Sequence, residues 1–310
     1  MTPAPPLAES CSMLHEGARV PAVGTAARAV AWVALEQNGA WGRLAPTQSH
    51  LDPELGATLE DRAARIGARI ALLRNPGQHA DVAEEPRRVY LAGGLDATPW
   101  MLTGSIDDPA RLLDFDWALL TAPTPDGLLA ALPELSVATE PVLLVCTNGK
   151  RDLCCALRGR PVALAAAEQR PGMVWETNHT GGHRFAPTGV MLPWGLTLAR
   201  LDPQLAVLAI DAARREEFAP ALLNDTHNRG LSGLAPIAQS AEHYIRQLVG
   251  ELRLGVFRTQ VRHDGLVEVA RPGGHTWLVQ VEERGNWPDL PASCGKDPVA
   301  VSDWHISVVR

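Results

Sequence analysis

Two stretches of the chain, roughly 110 residues apart, carry the same order of elements, and this repeat limits the possible folds more than any other feature. In the first, residues 29–36 are apolar, β-branched and aromatic as a strand requires. A helix is predicted over residues 53–66, where Leu55, Leu59, Ala63 and Ile66 recur at spacings of three and four. Strands follow at 68–73, 88–92 and 100–104, separated by the breakers Asn75, Pro76 and Gly77 and by Gly93-Gly94, with a short helix at 109–115. The second stretch repeats the order. A buried-type strand at 141–146 leads to a helix at 152–168, expected to break or restart at Pro161 because proline is best placed in a first turn. A strand at 173–177 and a hairpin of 190–193 with 196–201 about Trp194-Gly195 come next. A helix at 203–217 then places Leu205, Leu208 and Ala212 on one face.

This order indicates an α/β protein and a tandem of two thioredoxin-like units, although the two stretches share little residue identity. A polar, glycine-containing link at 224–233 precedes a helix at 235–254. Alternating strands are predicted at 257–262, 266–270, 277–281 and 304–309, with Asp264-Gly265 and Gly273-Gly274 as turn signals. The division expected is an N-terminal α/β region at 1–118, a thioredoxin-like unit at 119–230, and a small C-terminal appendage of helix and antiparallel strands at 231–310.

With 46% hydrophobic and 20% charged residues, the composition is that of a globular chain and leaves collagenous, disordered and coiled-coil readings without support. Apolar runs such as 141–146 fall far short of the ~20 residues that span a bilayer, and the N-terminus lacks the pattern of a signal peptide. No membrane association and a cytoplasmic location are therefore expected. A net charge of -7 argues against nucleic-acid binding, which relies on neutralising phosphates with basic side chains.

Cys146, Cys154 and Cys155, three of the five cysteines, fall within one ten-residue stretch, CTNGKRDLCC, at a strand-to-helix junction. Clustered cysteines in a reducing compartment mark metal or redox chemistry more often than disulfides, and helix N-termini favour thiolates. After the next predicted strand the chain reads NHTGGHR, which sets His179 and His183 at an H-x3-H spacing. Both motifs occupy loops that follow consecutive strands, the arrangement that brings two loops to one edge of a βαβ unit. Gly181 and Gly182 make a helix between the histidines unfavourable and argue against a zinc finger. They suit a loop that wraps an inorganic centre closely and points backbone N–H groups at bridging sulfides. Two cysteines with two histidines is also the donor set of Rieske centres, but those interleave the two types, whereas here both cysteines come first.

The segments CTNGKRDLCCALRGR and HTGGHRFAP, followed by LPWGLTLARL, resemble the sucrase/ferredoxin-like family, with GTAARAVAWVALEQNGAWG and PASCGK also fitting. The resemblance implies a thioredoxin-fold ferredoxin that binds a [2Fe-2S] cluster through C-x8-C and H-x3-H. Carried onto this sequence, it makes Cys146, Cys155, His179 and His183 the ligands; C-x7-C through Cys154 is sterically possible as well. Glycoside hydrolysis needs a pair of carboxylates, and no Asp or Glu motif announces one. The function expected is one-electron transfer. Two rivals are a metal-free thioredoxin-like thiol oxidoreductase using Cys154-Cys155, and a structural zinc module.

Residues 146–184 carry a net charge of +3 against -10 for the remainder. Lys150, Arg151 and Arg184 in this window are expected to face the cluster or an acidic redox partner, or Arg151 instead pairs locally with Asp152. Cys154 is expected to be a core thiol rather than a ligand, and Cys11 and Cys294 simply buried. Asn178-His179-Thr180 is an accidental sequon in the cytoplasm. Pro187 is a candidate for the cis-proline that thioredoxin-like folds place before a strand. The remaining histidines are read as surface residues.

Overall fold

The computed structural model describes residues 7–78 and 86–309. Its helices are α1 (Cys11–Gly17), α2 (Ala45–Gln48), α3 (Pro53–Ile66), α4 (Asp126–Ala131), α5 (Leu153–Gln169), α6 (Pro203–Ala213) and α7 (Pro236–Val249). Strands β1 (Trp32–Glu36), β2 (Arg69–Arg74), β3 (Arg87–Gly93), β4 (Trp100–Ile106) and β5 (Leu135–Val137) belong to the first half. The second half supplies β6 (Val142–Cys146), β7 (Val174–Thr177), β8 (Gly189–Leu192), β9 (Leu196–Leu198) and β10 (Asn228–Leu231).

The two halves repeat one topology. In the first, β1 pairs in parallel with β2 across α3 and antiparallel with β3, which pairs antiparallel with β4. In the second, β6 pairs in parallel with β7 across α5 and antiparallel with β8, which pairs antiparallel with β9. This is the α/β thioredoxin-like arrangement, present twice. Antiparallel pairing of β2 with β7 joins the halves into a ten-stranded sheet of order β10-β9-β8-β6-β7-β2-β1-β3-β4-β5. The Ala186–Pro187 peptide, just before β8, is cis.

That sheet is rolled rather than flat. Six strand steps separate β10 from β1, about 29 Å in a flat sheet. Yet Trp32 Nε1 donates to Ser232 Oγ at 3.0 Å and Ala29 N–H donates to the Ser232 carbonyl at 2.8 Å. Alternation along the strands explains why rolling is favourable. On β1, Val33 and Leu35 face one core with Leu59 of α3, while Trp32 and Ala34 face a second core shared by both halves with Leu144, Trp175 and Val190. On β6, Leu143 and Val145 pack under α5 and α6. Each buried Val or Leu among these contributes ~1.5–3 kcal/mol.

Local sequence sets the helix starts. Asp52 and Asp202 accept hydrogen bonds from Leu55 and Leu205 N–H at 2.8 Å, each followed by proline at the first helical position, and Gly67 closes α3 at φ +76°. Pro161 departs from expectation: α5 runs through it without a break. Both Pro161 and Leu157, whose carbonyl loses its helical partner, lie on the exposed face of the helix, where an unmade backbone hydrogen bond costs least.

The link at 224–233 also differs from its reading as a connection, since it holds β10, the edge strand paired with β9. Beyond it, α7 lies on a four-stranded antiparallel sheet of β11 (Arg258–Val261), β12 (Val267–Ala270), β13 (Thr276–Arg284) and β16 (Asp303–Val308). Ala238, Ala241 and Ile245 bury against Phe257, Val267 and Val279. Between β13 and β16, a ribbon of β14 (Leu290–Pro291) and β15 (Pro298–Val299) returns to α1. Among the described residues no helix is long and apolar enough to cross a membrane.

Candidate metal centre

Parallel pairing of β6 with β7, in register Cys146 to Thr177, sends the loops at 147–152 and 178–183 out of the same end of the sheet. Asp152 caps α5 by accepting from Cys154 N–H at 3.0 Å, which sets Cys154 and Cys155 in the first turn. Helix α5 approaches β6 closely because residue 159 is glycine: a Cβ there would lie 2.3 Å from the Cys146 carbonyl oxygen.

Neighbouring positions on a helix point about 100° apart, and the two vicinal cysteines diverge accordingly. Cys155 turns toward Cys146. The ligating atoms of Cys146, Cys155 and His179 lie within 4.8 Å of one another. His183 follows closely, its ring centroid 5.2 Å from that of His179. Cys154 turns the other way, toward Cys11 and Cys294, with Sγ–Sγ distances of 3.6 and 3.3 Å. The cysteines expected to be separate buried thiols therefore meet, because α1 and the 292–296 loop both cover the start of α5.

The nitrogen donors are poorly satisfied. Nδ1 of His179 and both ring nitrogens of His183 are buried without a hydrogen bond, and the nearest acidic group is Asp152 Oδ2, 3.5 Å from His183 Nε2. Burial lowers the His183 pKa, opposed by Asp152, and so favours the neutral, metal-binding imidazole. Cys146 is held well below the usual thiol range, first by a hydrogen bond from Cys155, then by His179 and by Thr180 N–H, all against burial. The Cys155 thiol is correspondingly raised by that same bond and by burial. Cys154 and Cys155 are both 0% exposed, which makes the vicinal pair unreachable for a metal-free exchange reaction with another protein's thiols.

Two arginines that sequence reasoning missed hold the histidine loop. Arg69 Nη2 donates to the His179 carbonyl at 3.2 Å, and Arg229 Nη1 donates to the Gly181 carbonyl at 2.9 Å. Burial, then repulsion from Arg184 and Arg69, lowers Arg229 to about 9, which leaves it a cation at neutral pH. Gly182, at φ +71°, is required by this packing, since a Cβ would sit 2.3 Å from Arg229 Nη2; one at Gly181 would meet Ala27 Cβ at 3.0 Å. Arg184 stacks on Phe185, its Cζ 4.7 Å from the ring centroid. Lys150 is exposed at the loop tip, and Arg151 lines a cavity of about 440 Å³ with Arg43, Arg69, Asn148 and His179.

The local Arg151–Asp152 pair does not form. The Asp152 carboxylate is engaged instead by Cys154 N–H, Ser293 Oγ and Cys294 N–H. Two histidines read as surface residues are buried, for stated reasons: His15 bonds the Cys11 carbonyl at 2.9 Å, and His243 sits between Asn228 and Asp225 at 2.7 Å each.

The sucrase/ferredoxin-like family model matches residues 40–219, more than half of the chain and all of both site loops. The protein belongs to the sucrase/ferredoxin-like family. No curated protein and no solved structure matches it. The family match begins after α1 and ends before β10. In this sucrase/ferredoxin-like protein Arg229, which holds the histidine loop, and Cys11 and Cys294, which pack on Cys154 beside the centre, therefore come from outside the matched segment.

Proposed function

We propose that the protein is a one-electron carrier whose [2Fe-2S] cluster is held by Cys146 and Cys155 on one side and His179 and His183 on the other. The single observation that carries this reading is the convergence of two buried sulfurs and the His179 nitrogen within 4.8 Å, beside a second imidazole, with His179 Nδ1 and both His183 ring nitrogens buried without a hydrogen bond. A buried nitrogen without a hydrogen bond costs ~1–3 kcal/mol, a cost removed when it ligates a metal. Two thiolates and two neutral imidazoles match the donor chemistry of a mixed-ligand diiron centre, which when bound supplies reversible gain and loss of one electron at a potential above that of all-cysteine clusters.

The rest is the work of the chain. Thr180 N–H points at Cys146 Sγ and lowers the charge density on that sulfur. Arg69 and Arg229 fix the backbone of the histidine loop and place two positive charges near it, which favours the reduced state. Gly181 and Gly182 allow the tight loop, while Lys150, Arg151 and Arg184 provide a basic surround. The cavity beside His179, lined by Arg43, Arg69 and Arg151, is the surface offered to an acidic redox partner. A cytoplasmic setting suits five free cysteines, since thiols are kept reduced there.

Anaerobic purification followed by iron and sulfide assay tests the reading, with about two irons and two sulfides per chain expected. Reduction with dithionite should give a rhombic EPR signal of low average g. His179→Cys and His183→Cys should each keep the iron while moving the g values toward those of all-cysteine clusters. A colourless protein without sulfide, or variants with unchanged spectra, would refute it.

A further inference from the structure

Beside the centre just described lies a second constellation that it does not use. Cys11 of α1, Cys154 of α5 and Cys294 of the C-terminal ribbon place their sulfurs at 3.6, 3.3 and 3.6 Å from one another, a nearly equilateral triangle. One oxygen of Asp152 completes a group of four atoms all within 4.8 Å. These residues stand 143 and 140 positions apart in the chain, so nothing local brings them together.

Packing as small hydrophobic groups would bury the three cysteines without aiming their sulfurs at one point, and it would not add a buried carboxylate. A disulfide is not present either: the sulfurs are far outside the ~2.05 Å of an S–S bond, and all three thiols are free. Tetrahedral zinc with Zn–S bonds of ~2.3 Å requires sulfurs about 3.8 Å apart, close to the triangle observed. A [4Fe-4S] cube would need them considerably farther apart.

Backbone and hydroxyl donors surround the sulfurs. Ser12 N–H and hydroxyl point at Cys154 Sγ, and Cys11 N–H points at Cys294 Sγ. Cys154 lies in the first turn of the 17-residue helix α5, whose N-terminal dipole favours negative charge. Asp152 is 5% exposed, with only N–H and O–H donors and a His183 nitrogen at 3.5 Å to balance its charge. A cation supplies what this cluster lacks.

We propose that Cys11, Cys154 and Cys294, with Asp152 as oxygen donor, form a second, mononuclear site for a thiophilic divalent cation of the zinc class. Binding replaces the thiol protons, which pass to solvent, and involves no electron transfer. The cation ties the N-terminal helix, the start of α5 and the C-terminal ribbon into one corner and holds Asp152 against His183. Its role is structural, because all four positions are taken by the chain.

Metal analysis of the holoprotein by mass spectrometry tests this, after equilibration with zinc chloride and removal of unbound metal. About one zinc per chain is expected in addition to any iron. Cys294→Ser, at the partly exposed corner, should lose the zinc while keeping the visible spectrum and iron content; Cys11→Ser should do the same. Should either variant fail to fold, native alkylation of the wild-type protein with iodoacetamide replaces it: Cys294 should be protected with zinc and reactive after chelation, with faster hydrogen exchange over residues 288–299. A Cys154–Cys294 or Cys11–Cys154 disulfide, absence of zinc after equilibration, or zinc lost in Cys146→Ser but retained in Cys294→Ser would overturn the proposal. Zinc that depends on Cys294 in a protein without iron would instead refute the electron-carrier reading and leave this site standing.

Discussion

Asp152 Oδ2 lies 3.5 Å from His183 Nε2, and the same oxygen accepts hydrogen bonds from Ser293 Oγ at 2.9 Å and Cys294 N–H at 3.1 Å. One carboxylate thus touches the histidine loop, caps α5 through its other oxygen, and anchors the C-terminal ribbon. Asp152→Asn and Asp152→Ala separate these roles. Asparagine caps as well as aspartate, so Asp152→Asn should leave α5 intact while removing a negative charge beside His183, and the reduction potential measured by redox titration should rise. Asp152→Ala should in addition cost about 1 kcal/mol or more in denaturant unfolding for the lost cap. Equal potentials in wild type and Asp152→Asn would count against the charge reaching the centre.

The junction of the two halves rests on a buried ion pair. Arg74 Nη2 lies 2.7 Å from Glu176 Oε2, with the side chains 5% and 2% exposed, and Thr147 Oγ1 donates to the same carboxylate at 2.9 Å. The guanidinium also stacks on Trp41, its Cζ 4.1 Å from the ring centroid. Arg74→Met should destabilise by about 3–5 kcal/mol, because Glu176 is left buried and uncompensated. The double change Arg74→Met with Glu176→Met should recover part of that loss. A double variant no more stable than the single one would mean that the stacking on Trp41, rather than the charge pair, carries the effect.

Gly182→Ala meets two obstacles, a left-handed φ of +71° and the Arg229 guanidinium 2.3 Å from the new Cβ. A cost of about 1–3 kcal/mol is expected in unfolding experiments, with weakened retention of iron in dialysis against a chelator. Gly250→Ala, at φ +65° with no heavy atom within 4 Å of the new Cβ, is the control for backbone strain alone. Iron retention should change only in Gly182→Ala.

Stability of the C-terminal unit should depend on acid pH through Glu251. Arg253, donating from its side chain and backbone, lowers the Glu251 carboxyl from 4.5 to about 2, with Arg271 adding to the effect. A carboxyl depressed in the folded state stabilises above its unfolded pKa and loses that contribution as pH falls through the folded value. Near-ultraviolet dichroism of Trp277 should therefore weaken progressively from about pH 4.5 toward about pH 2. In Glu251→Gln this part of the acid transition should be absent.

Much of the architecture was legible from local pattern. The Asp-Pro starts of α3 and α6, the apolar run into Cys146 and the repeated order of strands are governed by capping, propensity and periodicity, which act over a few residues. The continuation of α5 through Pro161 is not legible from the preference of proline for a first helical turn, because Pro161 and Leu157 lie on the exposed face of the helix, which only the packing of α5 sets. The edge strand β10 is not legible because Asn228, Arg229 and Gly230 lack strand patterning; Asn228, Gly230 and Leu231 are held by pairing with β9, and Arg229 falls at the register shift between them.

For the centre, the sequence by itself offered Cys146, one of the pair Cys154 and Cys155, His179 and His183 as candidates, since the two motifs follow adjacent strands, and only the family resemblance favoured Cys155. It left Cys154 and Cys155 undivided, because spacing along a chain says nothing of which way a first helical turn faces. Only the tertiary structure decided that Cys155 meets Cys146 while Cys154 meets Cys11 and Cys294, and that Arg69 and Arg229 clamp the histidine loop. The contacts of Cys154 with Cys11 and Cys294 and of Arg69 with the histidine loop join residues 110 to 143 positions apart, and they arise from rolling the sheet and folding both termini over the start of α5. Burial of a shared core drives that closure, and no short stretch of sequence encodes it.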